Sequence, residues 1–172
     1  MSRVGFVLKP DKSVAGALLE DLCAWLRERG HVPVVTTEDQ VAPAGAEILP
    51  EEQLGASVDL AVVLGGDGTI LRAARIVSEQ QRPVLGINLG QLGFLTGFQV
   101  ADAKPALEAA LAGKLKKEQR MRLAIRFVRG ASEPVMRYAL NDAVLHQGAM
   151  ARLVGIDAYV DDQFVASYRA DG

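Results

Sequence analysis

Five apolar residues in unbroken succession, Leu60-Ala61-Val62-Val63-Leu64, stop at Gly65-Gly66; Asp67 and Gly68 follow, and a helical pattern begins at Thr69. A run of this length and β-branched content reads as a buried strand. Such a strand asks for helices on the faces of its sheet. The glycines let the backbone turn sharply and come close to a ligand. The start of the next helix offers N–H groups and partial positive charge, which suits phosphate. A carboxylate in that place would repel phosphate, so Asp67 requires a reason. It can hold a metal, or it can take a proton from an attacking hydroxyl. Asp-Gly is also a common turn pair, and Thr69 has the side chain of a helix cap, so a turn alone is the competing reading. Neither G-x-x-x-x-G-K-[ST] nor G-x-G-x-x-G is spelled here.

A second stretch, Pro83 to Thr96, is another short apolar strand running into a glycine-rich loop. Gly86, Gly90 and Gly93 are more than an ordinary turn needs. Phe94 sits within the loop, where an aromatic either stacks on a planar ring or plugs the top of a core. Loops at the carboxyl ends of neighbouring parallel strands converge on one crevice, so the two glycine-rich loops are expected to line one site.

The rest of the chain alternates in the same way. Strands are predicted at Val4–Leu8, Val32–Thr36, Val58–Leu64 and Val84–Ile87. Helices are predicted at Val14–Arg29, Ile70–Glu79 and Asp102–Leu111, the first with Val14, Leu18, Leu22, Trp25 and Leu26 near one face and Gly30 as its stop. Glu38 to Ser57 is acidic, contains Pro43 and Pro50, and reads as a surface excursion. This alternation argues for a parallel sheet covered by helices. After a linker around Gly113–Lys117 the period changes to two. Strands at Met121–Val128, Tyr138–Leu145, Arg152–Val160 and Phe164–Tyr168 follow without helices between them.

Charge and composition exclude several classes. The net charge of −2 gives no electrostatic case for nucleic acid. No apolar run approaches the ~20 residues of a membrane helix, and no signal peptide is visible. One cysteine, Cys23, excludes an intrachain disulfide and suits a reducing cytoplasm. Cys23 and Trp25 read as helix packing. The basic run from Lys114 to Arg129 reads as a solvated face, His31 as surface, and His146 is assigned no role.

Four segments together are selective: Leu64-Gly65-Gly66-Asp67-Gly68-Thr69, Gly86 to Thr96, Ala139-Leu140-Asn141-Asp142-Ala143-Val144, and Tyr168-Arg169-Ala170-Asp171-Gly172. In order and spacing they resemble the signature segments of the NAD kinase family over nearly the whole chain. Asp142 stands where many members have glutamate. The resemblance implies an α/β nucleotide-binding domain, residues 1–115, of the NAD kinase/diacylglycerol kinase-like fold. An incomplete all-β NAD-binding domain would follow over residues 116–172. It further implies transfer of the γ-phosphoryl of ATP to the adenosine-ribose 2′-hydroxyl of NAD, with Mg²⁺ on the ATP phosphates and no protein metal site. Asp67 would be the base. Gly65, Gly66, Gly68, Thr69 and Asn88 would belong to the nucleotide site, and Phe94 would lie against adenine. Asn141 and Asp142 would bond ribose hydroxyls or the adenine edge, and Asp171 and Arg169 would approach the nicotinamide riboside. A cytoplasmic dimer or tetramer is expected. The family's glycine- and threonine-rich segment does not occur before Gly172, so the chain alone is expected to be inactive. A lipid kinase sharing the glycine–aspartate element and a non-catalytic nucleotide-binding fragment are the alternatives.

Overall fold

The computed structural model describes residues 1–9, 13–90, 93–146 and 153–170, with the backbone alone at 13 and 14, so the predicted place of the Val14 side chain lies outside it. Two compact units divide the chain at Met121/Arg122. The linker predicted around Gly113–Lys117 precedes this division, and Leu115 still packs against the first unit's core.

In chain order the first unit contains β1 (Arg3–Leu8), α1 (Ser13–Glu28), β2 (Val32–Thr36), β3 (Glu47–Leu49), α2 (Glu51–Ser57), β4 (Leu60–Leu64), α3 (Asp67–Ile76), β5 (Val84–Asn88), β6 (Phe98–Gln99) and α4 (Ala103–Leu111). The six strands form one sheet in the order β3-β2-β1-β4-β5-β6, and every pairing is parallel. Side chains alternate across it with period two. Val4, Phe6 and Leu8 of β1 join Leu60, Val62 and Leu64 of β4 beneath α1 and α4. Val7 and Val63 point the other way, to Leu54, Ile70 and Ala73 of α2 and α3. The central strands are therefore buried on both faces, as their unbroken apolar composition requires. Cys23 and Trp25 are buried in the α1 layer. Burial pushes the Cys23 thiol up to about 12, which keeps it protonated and inert.

The chain builds outward from β1 to β3, then returns to add β4, β5 and β6 on the opposite side. Strand order thus reverses between β1 and β4. At such a switch point the connections leave in opposite directions and open a crevice at the carboxyl ends of the strands. Leu8 pairs with Leu64 at that edge, and the Lys9 N–H donates to the Leu64 carbonyl at 3.0 Å.

The acidic segment Glu38–Ser57 is not a surface excursion. It contributes the last part of a 3-10 turn at Thr37–Asp39, β3 and α2, with Leu54 fully buried. Gly5 permits this approach: a Cβ on it would stand 3.0 Å from both Leu54 Cδ1 and Val58 Cγ1. The acidic composition misleads because Asp39 and Glu51 are turned inward to a cation rather than to solvent. The helix predicted from Ile70 begins earlier, at Asp67, and ends at Ile76 rather than Glu79. Its N-cap is Gly66, with no side-chain capping bond, so Thr69 is not the cap. His31, read as surface, is half-buried, and its Nδ1 accepts the Ser2 N–H at 3.1 Å.

The second unit consists of two antiparallel pairs, β7 (Leu123–Phe127) with β8 (Val135–Ala139), and β9 (Val154–Val160) with β10 (Gln163–Ala170). Asp161 and Asp162 both have positive φ, 48° and 62°, the two-residue turn that matches strand twist in a hairpin. The strand predicted over Tyr138–Leu145 runs instead from Val135 to Ala139. Large apolar side chains of this unit, Phe127, Tyr159 and Phe164 among them, remain exposed.

Leu54→Ala tests the reassigned segment. A fully buried leucine costs about 2–5 kcal/mol on truncation, whereas a residue of a solvated excursion costs within about 0.5 kcal/mol. Urea denaturation of the variant should show a clearly lowered midpoint.

Candidate functional site

Asp67 opens α3 one residue after its Gly66 cap, which places a carboxylate in the first turn, where the helix dipole favours it. Its two oxygens reach across to the loop after β5. The Phe94 N–H donates to Oδ2 and the Leu95 N–H to Oδ1, each at 3.0 Å. One carboxylate therefore joins the two glycine-rich loops that follow β4 and β5. The convergence expected from strand adjacency is present, and it is made by a specific contact.

The second loop is held by side chains at its base. Asn88, at the end of β5, accepts the Gly90 N–H at Oδ1 (2.9 Å) and donates from Nδ2 to Thr96 Oγ1 (2.8 Å). Thr96 Oγ1 also accepts the Gly93 N–H at 3.2 Å. Both side chains are buried, so these bonds form away from competing water. Asn88 serves here as a loop anchor. Thr96 is a site-building residue that the motif contains but that sequence reasoning gave no role.

The glycines divide by what surrounds them. A Cβ on Gly65 would lie 2.8 Å from Thr69 Cβ and 3.2 Å from Lys9 Cβ. Gly65 is therefore required by the buried Thr69 side chain packed over it. Thr69 itself is committed to that packing, and its N–H donates to the Gly66 carbonyl at 3.0 Å. A Cβ on Gly93 would fall 2.7 Å from Asp67 Cγ. Gly66 and Gly68 differ: among the described residues nothing stands within 4 Å of a Cβ on either. Neither has positive φ. Backbone conformation and internal packing thus leave their glycine character unexplained, and open space lies where a ligand would approach.

Arg72, one and a half turns along α3, fixes the helix to the rest of the unit. Its Nη1 donates to Asp39 Oδ1 at 2.7 Å and to the Leu8 carbonyl at 3.2 Å, its Nε to Glu51 Oε2 at 2.7 Å, and its Nη2 to the same Glu51 oxygen. Asp39 is itself held by the Thr36 hydroxyl at 3.0 Å and the Leu8 N–H at 3.3 Å. Burial pulls the Arg72 guanidinium down, but the hydrogen bonds it donates to Asp39 and Glu51 outweigh it and leave it raised. The Arg72 charge is consequently neutralised within the protein.

Phe94 is 98% exposed, which rules out the core-plug reading and leaves its ring available for stacking. In the second unit, Asn141 and Asp142 are exposed and follow β8 rather than lying within a strand. Arg169 is exposed on β10, opposite Gly155. Asp171 lies outside the described residues. Among the described residues no three His, Cys, Asp or Glu side chains are grouped to hold a metal ion, and no helix is long and apolar enough to cross a membrane.

The model of the ATP-NAD kinase N-terminal domain matches residues 4–115. The chain belongs to the NAD kinase family. Curated NAD kinases similar to it include that of Solibacter usitatus, 39% identical over 98% of this chain and 58% of the relative. That of Heliobacterium modesticaldum is 41% identical over 100% of this chain and 61% of the relative. That of Trichlorobacter lovleyi is 38% identical over 100% and 60%. The chain thus spans about three fifths of the length of these relatives. A crystal structure of yeast NADH kinase complexed with NADH matches with a TM-score of 0.89 and 25% identity, over 99% of this chain and 56% of that one. The strand–helix unit followed by antiparallel strands is accordingly the family's fold, and membership turns the lipid-kinase alternative aside.

Gly93→Ala should displace the Asp67 carboxylate, because its Cβ would occupy the space of Asp67 Cγ. Amide hydrogen exchange at Phe94 and Leu95 should then accelerate relative to the parent. Unchanged protection at both amides would mean that the loop does not depend on Asp67.

Proposed function

We propose that a full-length protein carrying this chain transfers the γ-phosphoryl of ATP to the adenosine-ribose 2′-hydroxyl of NAD, giving NADP. The observation that carries this reading is the contact of Asp67 with Phe94 and Leu95, which sets a carboxylate between the glycine-rich loops after β4 and β5, beside the sheet's switch point. Family membership and the NADH-bound structural neighbour support it.

A ribose hydroxyl is a weak nucleophile at neutral pH, and a carboxylate within hydrogen-bond reach orients it and accepts its proton. An ionised carboxylate has about four lone-pair sites. The two amide bonds use one on each oxygen, so Asp67 keeps an acceptor site on each for the hydroxyl. Gly66 and Gly68 leave open space beside it for phosphate, and the N–H groups of Asp67 and Gly68 precede the first intrahelical donor of α3, Thr69. Phe94 presents an exposed ring for adenine. Asn141, Asp142 and Arg169, with Asp171, are assigned to the ribose, adenine and nicotinamide riboside. Gly65, Thr69 and Asn88 shape the loops. Mg²⁺, arriving on the ATP phosphates, would neutralise charge during transfer. A cytoplasmic dimer or tetramer completes the proposal, to be read from light scattering of the full-length protein.

Asp67→Asn preserves shape and removes the proton acceptor. In the full-length protein kcat for NADP formation should fall roughly 10²–10⁴-fold, with NAD affinity nearly unchanged. Near-parental kcat would sink the base assignment.

Asp142→Ala removes an acceptor from the proposed nucleoside contact. Calorimetric titration should show weaker NAD binding with ATP binding little altered; equal NAD affinity would dismiss that contact.

A further inference from the structure

Three consecutive amides, those of Gly93, Phe94 and Leu95, all donate to side chains. The first goes to Thr96 Oγ1 at 3.2 Å, the second and third to Asp67 Oδ2 and Oδ1 at 3.0 Å each. The bond from the Gly93 N–H to Thr96 Oγ1 closes the four-residue turn from Gly93 to Thr96, and the Phe94 and Leu95 amides are the two that this turn encloses. Whatever closes that turn therefore fixes the segment that presents the pair to Asp67. Thr96 does so from a buried position, 3% exposed, where it also receives the Asn88 amide at 2.8 Å. Its backbone is confined in turn, since a Cβ on Gly86 would approach Thr96 Cα to 3.3 Å. The hydroxyl is thus fixed with respect to the end of β5, and the loop is fixed with respect to the hydroxyl.

From this geometry we infer that Thr96 is a positioning residue for Asp67. It acts through the Gly93–Leu95 backbone and sets the direction in which the Asp67 carboxylate meets the hydroxyl it deprotonates. The inference rests on the NAD-phosphorylating reading proposed above. The Thr96 methyl group contributes packing; the hydroxyl contributes orientation, and the two are separable by substitution. Thr96→Val keeps the shape and removes the acceptor. Thr96→Ser keeps the acceptor and removes the methyl. A residue that served packing alone would tolerate valine better than serine, whereas a positioning hydroxyl reverses that order.

The test is steady-state NADP formation by the full-length protein with ATP and Mg²⁺, together with amide exchange at Phe94 and Leu95. Thr96→Val should lower kcat about 10- to 100-fold, the scale of a misplaced catalytic group, with KM for ATP unchanged and both amides exchanging faster. Thr96→Ser should restore most of kcat and the protection. In an Asp67→Asn background Thr96→Val should cost little more, because both changes remove the same contribution. If the valine variant does not fold, Thr96→Ala against Thr96→Ser makes the same comparison with the methyl absent from both. Equal kcat for the hydroxyl-bearing and hydroxyl-lacking variants, or losses that multiply with Asp67→Asn, would overturn the inference. A parent protein that folds but forms no NADP would overturn the functional reading instead. The exchange measurement would then still decide whether Thr96 holds the loop that binds Asp67.

Discussion

The two hydrogen bonds from the Phe94 and Leu95 amides to the Asp67 carboxylate are the constraint on which the site depends. They connect the start of α3 to a loop on the neighbouring strand. Gly93 must be glycine because the carboxylate occupies the space of its Cβ. Asn88 and Thr96 must be polar and buried because the Gly90 and Gly93 amides need partners at the base of the loop. The exposure of Phe94 follows from the same arrangement, since its own N–H is turned toward Asp67 while its ring stands in solvent.

That contact has value only if α3 is itself fixed. Arg72 supplies the anchorage through Asp39, Glu51 and the Leu8 carbonyl, with Asp39 nearly buried. Removing one partner of such a cluster leaves a charge uncompensated in a poorly hydrated place. The acidic segment before β4 is therefore part of the framework: it covers one face of the sheet through Leu54 and holds α3 through its carboxylates. A cation engaged in this way serves the framework of the unit.

Much of the first unit was legible because periodicity and glycine placement are local. Unbroken apolar runs marked strands buried on both faces, and spaced leucines marked α1. Errors arose where a local signal carried the opposite long-range meaning. Acidic residues in Glu38–Ser57 suggested solvent, yet two of them face Arg72, more than twenty residues later. Thr69 suggested a cap, yet Gly66 holds that place and Thr69 packs on Gly65. The dipeptide strand β6 is too short to carry a period and forms because β5 offers it an edge.

The sequence by itself determined the α/β class, the two glycine-rich loops and the resemblance to NAD kinases, and it singled out Asp67 as the residue to explain. These reside in runs, spacings and residue types that the chain displays before it folds. Only the tertiary structure decided which acceptor each loop amide uses, why Gly93 and Gly65 are obligatory while Gly66 and Gly68 face open space, and that Thr96 and Arg72 support the site. Those facts are distances between residues remote in sequence. They exist only after the parallel strands have paired and brought the two loops to the same edge of the sheet.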